Sequence, residues 1–267
     1  MTSCVGRTLG AALALALLVC ARPAAAQTTA PADPPRSAVE LLPRAALHLT
    51  AEHLSGEDVQ FVWDTNFGGE LDVIGYRHGR ATFVANYQAI LGDELRHFDP
   101  NQGNYILSGS LSFRAKGVEL AGVFYHQSRH LSDRANRVAV AWNMMGGRAL
   151  KSFTAGRTRV QARVDLRGAV QTSFVDYDWE LDTGVRSDVH IGPGLGALFA
   201  ADLRHLGVDG TQNRGDQTGY RAEAGVRIEG RGGAMEFFLA AERRIDPSPL
   251  NVGVGRWMTA GFRLLSR

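Results

Sequence analysis

Reactive side chains concentrate in one string, Tyr125-His126-Gln127-Ser128-Arg129-His130-Leu131-Ser132-Asp133. His126, Ser128 and His130 occupy alternate positions, so an extended chain places all three on one face. An imidazole beside a serine hydroxyl can take its proton and turn the oxygen into a nucleophile, and an acidic third group can orient the imidazole. Asp133 is the nearest acid, which makes His126, Ser128 and Asp133 the candidate catalytic set. His126, His130 and Asp133 could also offer three donors to a metal, but this is not the spacing of a closed zinc site, so no metal and no other cofactor is expected. The alternative is a hydrogen-bonded polar rim around the mouth of a loop.

The elements that must carry this string are strands. Arg157, Arg159, Gln161, Arg163, Asp165 and Arg167 fall on every second position, with Thr158, Val160, Ala162, Val164 and Leu166 between them. A second segment repeats the pattern with acids, Glu180, Asp182, Arg186, Asp188 and His190 alternating with Leu181, Thr183, Val185, Val189 and Ile191. Successive strand side chains point to opposite faces, so each segment has one ionic and one apolar face. As a hairpin the pair would set an arginine ladder (Arg157, Arg159, Arg163, Arg167) beside Glu180, Asp182 and Asp188. Period two recurs through the chain, with strands expected near 80–91, 104–114, 117–126, 134–145, 195–205, 218–230, 234–244 and 253–265. Around Gly68-Gly69 the pattern fits either two strands meeting at the glycines or one long bulged strand with 44–54 as the additional one; 44–54 also suits a short amphipathic helix. Either way the total is about twelve.

The connections alternate in length. Short turns are expected at His78-Gly79, Ala115 to Gly117, Gly192 to Gly194 and Gly230 to Gly232, with a longer one at Gly146 to Gly156, and longer polar loops lie between them. Alternating short and long connections in an even-stranded chain predict an all-β, antiparallel, up-and-down transmembrane barrel of the outer-membrane type. A soluble exported barrel or sandwich would show the same alternation with the apolar face inward. The membrane reading is favoured by apolar faces on strand after strand and by aromatics near strand ends, among them Phe67, Tyr105, Phe124, Trp142, Trp179 and Tyr220. The final strand lacks the terminal aromatic common in bacterial barrels, ending Leu264-Leu265-Ser266-Arg267. In a membrane the arginines must line the lumen, because each arginine facing lipid near the midplane costs roughly 2–4 kcal/mol.

Residues 1–26 read as a secretory signal, with Arg7, an apolar run from Leu9 to Cys20 and Ala24-Ala25-Ala26 before the cleavage point. Cleavage would remove both cysteines, Cys4 and Cys20, and with them any disulfide. Residues 27–43 are expected to form a flexible lead and 44–267 the barrel, placed in the bacterial outer membrane. A net charge of +2 over 267 residues gives no reason to expect nucleic acid.

Two resemblances attach to these motifs. His126-Gln127-Ser128 is similar to the His-x-Ser pair on a barrel strand of the outer-membrane lipid A deacylases, with Arg129 where an asparagine commonly follows. With Gly68-Gly69-Glu70 and the loop Phe98-Asp99 to Tyr105, the string Tyr125 to Asp133 resembles a family of uncharacterised bacterial outer-membrane barrels carrying a Tyr-His-Gln-Ser-x-His-Leu-x-Asp segment. That family implies fold and location and has no established activity. The functional expectation is a binding or passive transport module for small polar or anionic solutes, in contact with outer-membrane lipid. Its rivals are a lipid hydrolase using Ser128 and His126, and a plugged structural barrel.

Overall fold

The computed structural model describes residues 38–132, 138, 140–249 and 252–266. The strands are β1 (Val39–Leu54), β2 (Trp63–Tyr76), β3 (Gly79–Gly92), β4 (Asp99–Ala115), β5 (Val118–Leu131), β6 (Val140–Ala155), β7 (Thr158–Ser173), β8 (Tyr177–Gly192), β9 (Leu195–Val208), β10 (Gln217–Glu229), β11 (Gly233–Ile245) and β12 (Val254–Ser266). Each pairs antiparallel with its neighbours in sequence, and β1 also pairs with β12, with His48 opposite Leu265 and Leu54 opposite Thr259. The sheet therefore closes into the expected twelve-stranded barrel. Tight turns join β2 to β3, β4 to β5, β6 to β7, β8 to β9 and β10 to β11 at one end, called here the turn end; the other connections gather at the loop end.

Two stretches differ from expectation, and one pair of alternatives is resolved. The turn expected at Gly146 to Gly156 is strand, because β6 runs on to Ala155 and only Gly156 and Arg157 turn. Gly146 serves a close approach: a Cβ there would meet the carbonyl oxygen of Leu166 at 2.0 Å. Of the two readings around Gly68-Gly69, the single long strand is the one realised: β2 runs through the glycines, its register shift lies beyond them between Asp72 and Ile74, and β1 is the additional strand. β1 is a strand, not a helix, and begins at Val39 inside the expected lead, with Leu42 at φ 53° marking its bulge.

The wall is inverted relative to a soluble barrel. Leu166 is 56% exposed while its neighbour Arg167 is 1% exposed. Leu47, Phe83, Leu111, Phe153, Phe199, Leu239 and Met258 also stand out from the wall, while Glu52, Asp64, Asp72, Asp165, Asp182 and Glu236 are buried inside. An apolar belt of this extent would be unfavourable in water and suits a hydrocarbon surround.

The ladder is a lumen brace. Arg167 donates to Glu180 at 2.5 Å and to Asp182 at 2.9 Å, with its guanidinium 4.2 Å from the Tyr125 ring centre. Arg163 reaches Asp165 at 2.8 Å and Asp182 and Asp202 at 3.5 Å each. Asp188 accepts instead from Arg186 at 2.5 Å. Arg157 and Arg159 lie at the turn end, exposed, on a mouth shared with Asp188, His190, Arg227 and Glu229. Farther round, Arg221 joins Glu52 at 2.8 Å to Glu223 and Glu242 at 3.1 Å each.

Towards the loop end the lumen turns apolar. Ile106, Tyr125, Trp142, Met144, Tyr177 and Leu206 form one buried cluster, and Leu54, Phe61, Ile90 and Trp257 form another. Trp142, expected in an interfacial belt, belongs to this plug, its ring 5.0 Å from that of Tyr177 at a steep angle. Above it Arg214 ties three loops together, donating to Asp176 at 2.5 and 2.8 Å and to both oxygens of Asp246 at 2.8 Å. Burial pushes the Asp246 carboxyl up, but hydrogen bonds from Arg214, the Gly253 amide and Tyr177 outweigh it and hold the group below the usual aspartate range.

Candidate active site

The chemistry-bearing string lies on β5, and its face is set by what the lumen needs. Val123, Tyr125, Gln127 and Arg129 are buried inside; Tyr125 donates to Gln127 at 2.7 Å, and Arg129 stacks over Trp142 at 5.2 Å and donates to the Asp246 carbonyl. Strand parity then turns His126, Ser128 and His130 outward, onto the apolar wall. Arg129, where the deacylase pattern carries asparagine, is thus part of the loop-end plug.

His126 finds its third group on the adjacent strand. On β6, Asn143 sits directly opposite His126, and its Oδ1 lies 2.8 Å from His126 Nδ1. An amide oxygen only accepts, so Nδ1 carries the proton and Nε2 keeps its lone pair free to act as a base. Asn143 Nδ2 in turn donates to Gln171 Oε1 on β7 at 3.0 Å. Ser128 is two residues along the same face, about 6.6 Å of strand rise from His126. Its Oγ rests 3.3 Å from Nε2 of His130, whose ring stands edge-on to Tyr105 at 5.5 Å. The expected acid, Asp133, lies outside the described residues. Asn143 and Gln171, which continue the hydrogen bonding from His126, are contacts that sequence reasoning did not single out. The available signal was a lone amide on the outward row of β6, between Ala141 and Met145.

Position on the wall matters as much as the contacts. Ser128 is ten residues beyond Val118, where β5 leaves the turn end. At about 3.3 Å per residue and a tilt near 40°, that is roughly 25 Å up the wall, the height of the apolar band of such barrels. Phe67, Tyr87, Tyr105 and Ser128 are successive cross-strand neighbours in one row. Ring centres are 5.3 Å apart between Phe67 and Tyr87 and 4.9 Å between Tyr87 and Tyr105. A belt of amphipathic rings marks the level where acyl chains give way to headgroups. Trp179 and His205, 5.2 Å apart, form a further aromatic pair near the loop ends of β8 and β9. Among the described residues no cluster of histidine, cysteine and carboxylate side chains could hold a metal.

No protein-family model matches the chain, and no curated protein matches it by sequence. Solved structures match by fold. An active-site asparagine-to-alanine mutant of outer membrane phospholipase A from Escherichia coli aligns with a TM-score of 0.52 and 15% identity, covering 89% of this chain and 94% of that one. The Salmonella typhi outer membrane phospholipase, a dimer with bound calcium, aligns at 0.51 and 13%, covering 85% and 91%. An outer membrane channel from Pseudomonas putida F1 aligns at 0.48 and 12%, covering 88% and 99%. At these identities the likeness to the two phospholipases shows the fold alone, an outer-membrane-type barrel.

Proposed function

We propose that this chain is an outer-membrane serine hydrolase that cleaves acyl esters of membrane lipids on its outer wall. The observation that carries the reading is the 2.8 Å contact between His126 Nδ1 and Asn143 Oδ1 on the face that also presents Ser128. A base oriented by an acceptor, next to a serine, is the arrangement that activates a hydroxyl. The site opens at the aromatic belt, where the ester linkages of a lipid lie, so substrate arrives by lateral diffusion and needs no path through the lumen. The similarity to phospholipases supports the same reading, since the Escherichia coli enzyme was solved with an active-site asparagine replaced. The His-x-Ser likeness to lipid A deacylases points to the same substrate class. The packed lumen, by contrast, lends no support to passive transport of polar or anionic solutes.

Catalysis follows from two staggered positions of one hydroxyl. Rotation of Ser128 about χ1 carries Oγ from His130 towards His126. As Oγ attacks the ester carbonyl, its proton passes to His126 Nε2. Asn143 holds the resulting imidazolium through Nδ1–H. The imidazolium then returns the proton to the departing alkoxide, leaving an acyl-serine that water cleaves by the same base. A neutral amide stabilises the imidazolium less than a carboxylate would, so turnover should be modest.

The test is release of free fatty acid from mixed micelles of phospholipid, and separately of lipopolysaccharide, by the purified protein. Ser128→Ala should reduce release by at least about 10³-fold. Activity that survives this change excludes Ser128 as the nucleophile, and a correctly folded protein inert towards every lipid ester excludes the hydrolase reading.

A further inference from the structure

The bulge in β7 carries a second message. Residues of β7 facing the lumen, Arg163, Asp165 and Arg167, are odd-numbered, and unbroken parity would put Gln171 inside with them. The register shifts instead: Met144 pairs with Ala169 and Asn143 with Gln171, which leaves Val170 without a partner residue on β6. One extra residue reverses the parity beyond it. Gln171 is thereby delivered to the outward wall, directly beside Asn143, and its Oε1 accepts the Asn143 Nδ2 proton at 3.0 Å.

An asparagine side chain is a weak orienter on its own, because it presents either an acceptor or a donor according to which way the amide is turned. With Oδ1 towards His126 the imidazole is held as the Nδ1–H tautomer and Nε2 is a base. With Nδ2 towards His126 the opposite tautomer is favoured, and Nε2 carries the proton and cannot act. The surroundings of Asn143 decide between them, and Gln171 presents its Oε1 acceptor to the Nδ2 side. From this we infer that Gln171 is a positioning residue of the hydrolase: it fixes the amide of Asn143, and through it the protonation state of His126. This inference rests on the proposed lipid-ester hydrolysis. It explains why β7 gives up regular pairing at Val170, and it extends the Ser128, His126, Asn143 series to a fourth strand-borne group on a third strand.

The test combines kinetics with a tautomer readout that needs no turnover. Gln171→Leu should lower kcat about ten-fold, the factor that a hydrogen bond of ordinary net strength contributes, with KM nearly unchanged. Gln171→Glu, whose carboxylate also accepts from Nδ2, should retain activity to within about three-fold. In an Asn143→Asp background, where either oxygen accepts from Nδ1, Gln171→Leu should cost less than about two-fold. Equal losses in both backgrounds would overturn the positioning role and reveal a merely structural one. Independently, nitrogen-15 spectra of histidine-labelled protein in micelles, assigned with His126→Gln, should show His126 as Nδ1–H and a shift towards Nε2–H in Gln171→Leu. An unchanged tautomer in Gln171→Leu would overturn the inference even in an active enzyme. A tautomer shift in Gln171→Leu, in a protein whose wild type hydrolyses no lipid ester, would uphold the relay while removing the hydrolase reading.

Discussion

Glu236 offers the sharpest test of the lumen as a structural brace. It is wholly buried and accepts from Arg186 at 2.7 Å, Arg227 at 2.5 Å and Arg263 at 2.8 Å. Glu236→Gln preserves the shape, removes the charge and leaves three guanidiniums facing an amide. Deleting one partner of a buried ion pair typically costs about 3–5 kcal/mol, because the remaining charge stays buried. Each arginine here keeps a second carboxylate: Asp188 for Arg186, Glu229 for Arg227 and Glu223 for Arg263. The lower end, about 3 kcal/mol, is therefore expected. That is a large part of a typical folding free energy. The assay is reversible urea unfolding in detergent micelles, followed by tryptophan fluorescence. Glu229→Gln is the control, since its carboxylate is 42% exposed and its pair with Arg227 should contribute below about 1 kcal/mol. A Glu236→Gln barrel as stable as the control would refute the brace, and would mean that water in the lumen screens the network.

Further outcomes follow from the same geometry. Val164→Arg, on the outer wall six residues beyond Thr158 and so about 15 Å up the apolar band, should destabilise the folded barrel by about 2–4 kcal/mol in lipid vesicles, and a neutral result would argue against a lipid-facing Val164. Asp246 sits below its ordinary value of 3.8, so its contribution is complete above that value and is lost as pH falls through it towards the depressed folded value. Protection factors for amides in loop 209–216, corrected for the pH dependence of intrinsic exchange, should therefore fall on acidification below about pH 4, and Arg214→Leu should already show low protection at neutral pH. Planar-bilayer recordings should show no steady ion conductance, because apolar clusters and paired charges occupy the lumen; a stable open current would contradict that packing.

Much of the barrel was legible because period two is a direct consequence of strand geometry. The cost of the opposite choice assigns Arg163 and Arg167 to the lumen from the sequence itself, and Asp182 and Glu180 are their partners there. Glycine misled where it serves close strand approach: Gly146 looked like the start of a turn but lies within β6, and the same close approach at Gly68 left a break and a continuous strand equally open. The face of β5 was ambiguous for a physical reason. Its inward residues Val123 and Tyr125 are as apolar as Leu120 and Phe124 outside, since Val123 is buried and Tyr125 joins the lumen plug at the loop end. His126 and Ser128 could be singled out as candidates from spacing alone. Asn143, seventeen residues from its histidine, was not, because cross-strand register is a property of the sheet. Gln171 was harder still, since the bulge at Val170 leaves no local sequence signature and reverses the parity on which the reading relied.

The central claim, a serine made nucleophilic on the lipid-facing wall, is tested most directly by covalent capture. A long-chain alkyl sulfonyl fluoride partitions into micelles and sulfonylates an activated serine. Peptide mass spectrometry of the labelled protein should place the adduct on Ser128, with labelling lost in His126→Ala and slowed about ten-fold or more in Asn143→Ala. Absence of an adduct on Ser128, or labelling at an unchanged rate without His126, would contradict the account.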